Sequence, residues 1–210
     1  MKIGVIGANG KAGQLVVKEA LNRGHEVIGF VRDSSKVSES IEVKEIDVFH
    51  LSGDDVKDFD VVVSAYGAFD TELFVRAGDA FIKAFSETDT PLIIIGGAGS
   101  LYVDKEKGLR LLDTPDFPEA YKPIAKGAGL MLEKLLETTS LTWTYMSPAA
   151  FFDAEGKRTG TYTKGKDQLI LNQAGESYIS YADFAIAVLD EVEQPQHRNE
   201  RFTVVGNSSV

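Results

Sequence analysis

The chain has 210 residues, of which 43% are hydrophobic and 26% are charged, the balance of a folded globular protein. Its 32 acidic and 22 basic residues give a formal net charge of −10, so we expect no nucleic-acid partner. The absence of Cys excludes disulfides, thiolate metal sites and a catalytic thiol, and the three His are scattered, so we expect no bound metal.

No apolar run approaches the roughly 20 residues that cross a bilayer. The first residues enter a strand pattern directly, without the pattern of a signal peptide. We therefore expect a cytoplasmic protein with no membrane partner. The length is about 1.4 times that of a typical domain, so we expect residues 1–210 to form a single domain.

Glycines follow the first predicted strand at three-residue spacing. An apolar run covers residues 2–6, a helical pattern ends at Arg23-Gly24, and a second apolar run covers residues 26–31. Because glycine has no side chain, a diphosphate can approach the backbone at the glycine positions of the turn. The first turn of a helix also offers unpaired N–H groups. We predict that this turn binds a dinucleotide; a glycine turn that binds nothing is the alternative. The predicted contacts are Gly7, Asn9, Gly10, Lys11, Ala12 and Gly13.

Residues of mixed charge follow the second strand. Arg32, Ser35 and Lys36 offer two cations and a hydroxyl, which suit the 2′-phosphate of NADP(H). Asp33 instead suits the free 2′-hydroxyl of NAD(H). We predict NADP(H) as the preferred cofactor and NAD(H) as the alternative, and a solvated polar turn is the reading without a ligand.

Four further apolar runs predict strands at residues 41–46, 60–67, 91–97 and 141–147, with a helix over 73–85. Strands that alternate with helices predict a mostly parallel sheet covered on both faces. Ligands bind such sheets outside the carboxyl ends of the strands, so we expect the strand ends to line one cofactor site. These strand-end residues are Asp47, Ala65, Tyr66, Gly67, Gly97, Ser147, Pro148 and Ala149. Asp47 could equally cap the short helix that follows it.

Two segments do not fit the strand–helix alternation. Residues 98–122 have no clean period and predict a long loop, of the kind that often forms a lid over a binding site. Residues 149–178 are polar and Gly-rich, and they predict a small C-terminal substrate-side insertion with a hairpin. Residues 180–183 predict a capping box for a helix to about Val192.

The glycine turn and residues 31–36 together resemble the atypical short-chain dehydrogenases/reductases of the NADH-flavin reductase-like and NmrA-like NAD(P)-binding family. That family includes the biliverdin reductase B type of flavin reductase. The resemblance continues through residues 94–101, 143–148 and 179–185 and so covers nearly the whole chain. It implies a Rossmann-type, doubly wound α/β fold and NAD(P)H-dependent reduction of a free flavin, FMN or FAD, or a quinone-type acceptor.

The resemblance also implies roles for individual residues. Asp47 and Val48 would lie beside the adenine, and Ser100 would donate a hydrogen bond to a bound carbonyl or flavin oxygen. A serine that only caps a turn is the alternative for Ser100.

A carbonyl-reducing Tyr–Lys pair, one helical turn apart, is not evident. Only Tyr162 has a Lys four residues on, Lys166, and the surrounding Gly and Thr argue against a helix there. Tyr121 and Lys126 are five apart across Pro123 and are candidates from the lid side, or else structural residues. We therefore favour flavin or quinone reduction, in which the acceptor can take its proton from solvent.

Three functions remain open from the sequence. The first is the NAD(P)H-dependent reductase acting on a small-molecule acceptor, the second a non-catalytic redox sensor, and the third a sugar-nucleotide epimerase or dehydratase. The chain would act as a monomer or homodimer. Aromatic residues available to stack on an acceptor are Tyr66, Phe69, Tyr102, Phe151 and Phe152.

Overall fold

The apolar runs form an eight-stranded sheet with helices on both faces. In the computed structural model, which describes residues 1–208, the strands are β1 (Lys2–Ile6), β2 (Glu26–Val31), β3 (Glu42–Glu45), β4 (Val61–Ser64), β5 (Leu92–Ile95), β6 (Trp143–Ser147), β7 (Phe151–Asp153), β8 (Tyr162–Gly165), β9 (Tyr178–Ser180) and β10 (Glu200–Gly206). The helices are α1 (Lys11–Asn22), α2 (Gly53–Val56), α3 (Thr71–Phe85), α4 (Lys122–Glu137) and α5 (Tyr181–Glu193).

The order of the strands places a crevice at the centre of the sheet. The order is β3-β2-β1-β4-β5-β6-β10-β8, and every pair is parallel except β10 with β8. From β1 the chain first adds β2 and β3 on one side of β1. It then crosses to the other side of β1 and adds β4, β5 and β6, so the direction of winding reverses between β1 and β4. Ligands bind at such a reversal, beyond the carboxyl ends of the strands. The predicted Rossmann-type, doubly wound fold is confirmed.

Alternating side chains of each strand build two apolar layers. Ile3 and Val5 of β1 face the layer that contains α1 and α5. Ile6 faces the opposite layer, which contains α3 and α4. Because both faces are covered, the central strands are apolar throughout rather than alternating with polar residues.

The C-terminal strands differ from the prediction. The hairpin expected within residues 149–178 does not form, because β7 pairs in parallel with β9 in a separate two-stranded sheet. β8 instead pairs antiparallel with β10, a strand that we did not predict. Since β10 lies beside β6 and offers its free edge, β8 completes the main sheet rather than folding back on β7.

The predicted capping box at the start of α5 is half correct. The Ser180 hydroxyl accepts a hydrogen bond from the Asp183 N–H at 3.0 Å. The Asp183 carboxylate does not reach back to Ser180; it accepts from the Thr159 N–H and hydroxyl and from the Gly160 N–H, at 2.6–2.8 Å. Buried Asp183 therefore ties the segment after β7 to α5.

Among residues 1–208, every helix is too short or too polar to span a bilayer.

Candidate functional site

A cleft of about 930 Å³ opens beyond the carboxyl ends of β1, β2, β4 and β5. Its volume lies in the range of small-molecule and cofactor sites. Twelve of the predicted cofactor contacts line it: Gly7, Asn9, Gly10, Lys11, Ala12, Arg32, Asp47, Val48, Ala65, Tyr66, Gly67 and Gly97. Parallel strands bring their ends to one edge of the sheet, which is why residues so distant in sequence meet here.

The glycine turn leaves the start of α1 open to the cleft. Gly7 has a φ of +75°, and a Cβ on it would lie 2.9 Å from the carbonyl oxygen of Ala65. Gly10 caps α1 without any side-chain hydrogen bond to the first turn. The N–H groups of that turn therefore keep no side-chain partner, and the turn fits the diphosphate of a dinucleotide.

Gly13 does not line the cleft but holds the turn against the helix. A Cβ on Gly13 would lie 2.1 Å from the carbonyl oxygen of Gly7, a backbone atom that cannot move without shifting the turn. The third glycine of the motif is therefore a packing residue, and a direct contact between Gly13 and a cofactor stays a prediction.

Of the three residues predicted to hold a 2′-phosphate, only Arg32 lines the cleft. The Asp33 carboxylate accepts from the Ser35 hydroxyl at 2.6 Å and pairs with the Lys36 ammonium at 3.0 Å. These contacts hold the pKa of Asp33 below its usual value. Ser35 and Lys36 thus both bind Asp33, whereas Arg32 is exposed at the end of β2 and lines the cleft.

Asp47 caps the short helix that follows it and also lines the cleft. Its Oδ1 accepts from the Phe49 N–H at 3.0 Å, so the capping role is confirmed. The residue also lines the cleft beside Val48 and Tyr66. Burial, together with the charge of Asp47, raises the pKa of Tyr66, so its phenol is neutral near pH 7. Contact of Asp47 with an adenine stays a prediction.

A buried tyrosine fixes the turn after β5. A Cβ on Gly96 would lie 2.1 Å from the ring of Tyr145, so only glycine fits at this position. The Tyr145 hydroxyl donates to the carbonyl oxygen of Ala128 at 3.0 Å and accepts from the Gly97 N–H at 3.3 Å. Burial raises the pKa of Tyr145 to about 12. Tyr145 therefore holds the backbone of Gly97 at the cleft.

We expect this burial to make stability fall in alkaline solution. An unfolded tyrosine loses its proton near pH 10, whereas folded Tyr145 keeps its proton to about pH 12. The stabilisation of the folded state by protonated Tyr145 is fully present below pH 10. It is lost as the pH rises through about 12, and the total loss of stability is about 2–3 kcal/mol. Urea unfolding of Tyr145→Phe across this range should show a smaller fall than the parent chain. A Tyr121→Phe control, at an exposed position, should keep the parent slope; equal slopes for all three proteins would contradict the assignment.

Ser147 ends β6, Pro148 and Ala149 follow it, and none of the three lines the cleft. All three are buried. The Ser147 hydroxyl has no hydrogen-bond partner within residues 1–208, which leaves a free donor at the end of β6. Contact of these residues with a cofactor stays a prediction.

Ser100 belongs to the loop that follows β5 and does not line the cleft. It is buried, and its hydroxyl accepts from Nη1 of Arg201 at 3.2 Å. Arg201 also donates to the carbonyl oxygen of Asp167 at 3.3 Å, and its Nε is buried without a partner in the described chain. Burial lowers the pKa of Arg201, a residue of β10 that the sequence did not single out.

This arrangement predicts that Ser100 contributes to stability. In Ser100→Ala the Nη1 of half-buried Arg201 loses an acceptor, so the free energy of unfolding should fall by about 1–3 kcal/mol. Urea unfolding measures this loss. An unchanged unfolding free energy together with lost turnover would contradict the structural role and favour direct donation from Ser100 to an acceptor molecule.

The predicted lid packs against the edge of the sheet instead of covering the cleft. None of residues 98–122 lines the cleft. Tyr102 donates its N–H to the carbonyl oxygen of Asp167 at 3.0 Å and accepts from the Leu169 N–H at 2.8 Å. The loop therefore follows the segment after β8, on the side where Arg201 is buried.

The tyrosine–lysine candidates do not meet in the cleft. Tyr121 is 59% exposed and precedes α4, Lys126 is exposed on that helix, and neither lines the cleft. Tyr162 belongs to β8 and donates to the Asp190 carboxylate at 2.7 Å, so it shares no helix with Lys166. A catalytic role for Tyr121 and Lys126 stays a prediction.

Aromatic side chains line part of the cleft. Phe69 and Phe152 line it together with Tyr181, which sequence reasoning missed, whereas Tyr102 and Phe151 do not. The rings of Phe152 and Tyr181 lie 3.9 Å apart between centroids. Tyr181 is distant from the glycine turn in sequence, and only tertiary packing brings the two together. Spacing along the chain therefore could not predict that they share the cleft.

Comparison with known proteins decides the family. The model of the NAD(P)H-binding family matches residues 7–195, a range that includes the glycine turn and ends beyond α5.

The chain belongs to the NAD(P)H-binding family.

Several relatives of this NAD(P)H-binding protein match over almost their whole length. The uncharacterized protein YwnB of Bacillus subtilis (strain 168) is 55% identical over 212 residues, which cover 99% of this chain and 100% of YwnB. A candidate NADH-flavin reductase from Streptococcus pneumoniae TIGR4 is 42% identical with a TM-score of 0.93, over 99% of this chain and 100% of that one. A candidate epimerase from Bacteroides thetaiotaomicron is 36% identical with a TM-score of 0.91, over 100% of this chain and 98% of that one. These matches confirm the resemblance that the motifs indicated.

Proposed function

We propose that the protein is an NAD(P)H-dependent oxidoreductase that reduces a free flavin, FMN or FAD, or a quinone-type acceptor. The observation that carries the proposal is the cleft itself, which is lined by an open helix N-terminus and by aromatic side chains. The similarity to a candidate NADH-flavin reductase supports the same reading.

The chain provides binding groups for each end of a nicotinamide dinucleotide. The first turn of α1 would hold the diphosphate, and Arg32 would pair with the 2′-phosphate of NADP(H). Gly97, fixed by Tyr145, lets the backbone approach the cofactor closely because it carries no side chain. When bound, the nicotinamide supplies a hydride.

The apolar wall suits a flat, aromatic acceptor. Phe69 is 90% exposed at the mouth of the cleft, and Phe152 and Tyr181 are half-buried beside it. Such side chains can stack on a ring system, exclude water and hold it in reacting geometry. A flavin or quinone takes its proton from solvent, so the reaction requires no Tyr–Lys pair in the cleft.

The same geometry argues against an epimerase or dehydratase. Chemistry of that kind on a sugar needs a positioned acid and base. The Tyr–Lys candidates at Tyr121 and Lys126 are exposed outside the cleft, and Tyr162 donates its hydrogen bond to Asp190.

The lack of Cys suits the reducing cytoplasm, where we place the proposed reaction.

Turnover with added flavin tests the proposal. Protein mixed with NADPH and an excess of FMN should oxidise many equivalents of NADPH, followed as the loss of NADPH absorbance, and FAD and a soluble quinone should be compared. Reactions without protein measure the background. Tight NADPH binding with no oxidation by any acceptor would contradict the reductase and favour a non-catalytic redox sensor.

A further inference from the structure

The side of the cleft beside α1 is completed by Tyr181, a residue from the C-terminal third of the chain. Tyr181 begins α5 and lines the cleft together with Lys11 and Ala12 of the first turn of α1. The α1 and α5 helices pack against each other, and this packing brings position 181 to the glycine turn. The phenol therefore lies on the side of the cleft where the diphosphate is expected.

The ring of Tyr181 is held, but its hydroxyl is free. Phe152 packs on Tyr181 at 3.9 Å and on buried Phe184 at 4.9 Å, so the ring is fixed against the core. The Tyr181 hydroxyl has no hydrogen-bond partner among residues 1–208. By contrast, the hydroxyls of Tyr145, Tyr162 and Tyr178 all donate to partners within the chain.

The environment keeps the phenol of Tyr181 a donor. Burial raises the pKa of Tyr181, and the nearby charge of Lys11 opposes the shift only in part. The residue is therefore neutral near pH 7 and carries an O–H that no group among residues 1–208 accepts. A half-buried donor on a residue that lines a cleft gains most when a ligand supplies the acceptor.

We propose that the Tyr181 hydroxyl donates a hydrogen bond to the diphosphate of the bound dinucleotide and so positions the cofactor against α1. The inference rests on dinucleotide binding in the cleft, and it adds a binding residue from outside the glycine motif. A hydrogen bond from a neutral donor to a charged phosphate makes the dissociation constant about tenfold lower.

Calorimetry of Tyr181→Phe with a series of ligands tests this contact. NADPH and 2′-phospho-ADP-ribose, which both contain the diphosphate, should bind about tenfold more weakly than to the parent chain. 2′-AMP, which has no 5′-phosphate, should compete equally well with both proteins. Unchanged NADPH affinity, weakening of NADPH alone, or equal weakening of all three ligands would each overturn the assignment.

Tyr162→Phe is the matched control. It removes the hydrogen bond to Asp190, which pairs with Arg23 at the far end of α1 from the glycine turn. Its Tm should fall by about 2–4 °C while NADPH affinity is unchanged. Tyr181→Phe breaks no hydrogen bond within the described residues and should keep the parent Tm. If the parent chain itself bound no dinucleotide, the proposed function would fail, which is distinct from failure of the Tyr181 contact.

Discussion

Replacing Gly13 with Ala should both destabilise the protein and abolish tight binding of NADPH. The new Cβ would lie 2.1 Å from the carbonyl oxygen of Gly7, so either α1 or the turn must move. Overpacking of this kind costs about 1–3 kcal/mol, and a backbone atom as the obstacle places the variant at the upper end. Because the displaced turn would misplace at least one N–H group, the NADPH dissociation constant should rise by about 100-fold.

Gly10→Ala separates the two effects. Gly10 has a φ of −79°, which any residue adopts, and a Cβ there would meet only the Gly7 carbonyl oxygen, at 3.3 Å. Its unfolding free energy should stay within about 1 kcal/mol of the parent value, while the added methyl group at the cleft weakens NADPH binding. Urea unfolding and calorimetry measure both quantities. A Gly13→Ala protein with parental stability and affinity would show that the turn is not packed as described.

Arg32→Ala should weaken the binding of NADPH by about tenfold and leave that of NADH unchanged. Arg32 lines the cleft, and only NADPH carries the 2′-phosphate that an Arg at this position accommodates. The exposure of Arg32 places the effect at the lower end of the range for a charge-assisted pair. Fluorescence titration of both cofactors against the parent and variant proteins measures the change in preference.

Lys36→Ala provides the matched comparison at the same turn. The Lys36 ammonium already pairs with Asp33 at 3.0 Å, so its loss should change NADPH affinity by no more than about twofold. Equal losses in Arg32→Ala and Lys36→Ala would mean that Asp33 releases Lys36 to the cofactor. An unchanged NADPH affinity in Arg32→Ala would remove the basis for predicting NADP(H) preference.

Much of the strand-end lining of the cleft could be predicted from the sequence. Gly7, Arg32 and Gly97 each follow an apolar run, and the parallel arrangement of those runs requires their ends to share an edge. The prediction needed only the position of each residue at the end of its strand. Distances across the sheet follow from the spacing of the strands.

The parts of the site that depend on the C-terminal third of the chain could not be predicted in the same way. Tyr181 reaches the glycine turn because α5 packs on α1, and that contact depends on the whole core rather than on local pattern. Ser100 turns toward Arg201 because β10 lies beside β6, and β10 was not predicted. Missing one strand therefore misplaced both the loop after β5 and the pairing of β8.

The central claim is that the free N–H groups at the start of α1 hold the diphosphate of a nicotinamide dinucleotide. Titration of ¹⁵N-labelled protein with NADPH, observed by two-dimensional NMR, tests it at the atoms concerned. We predict large, saturable shifts of the amide signals of Lys11 and Ala12, with small shifts at the distant strand β8. Amide signals in the first turn of α1 that stay unmoved at saturating NADPH and NADH would contradict it.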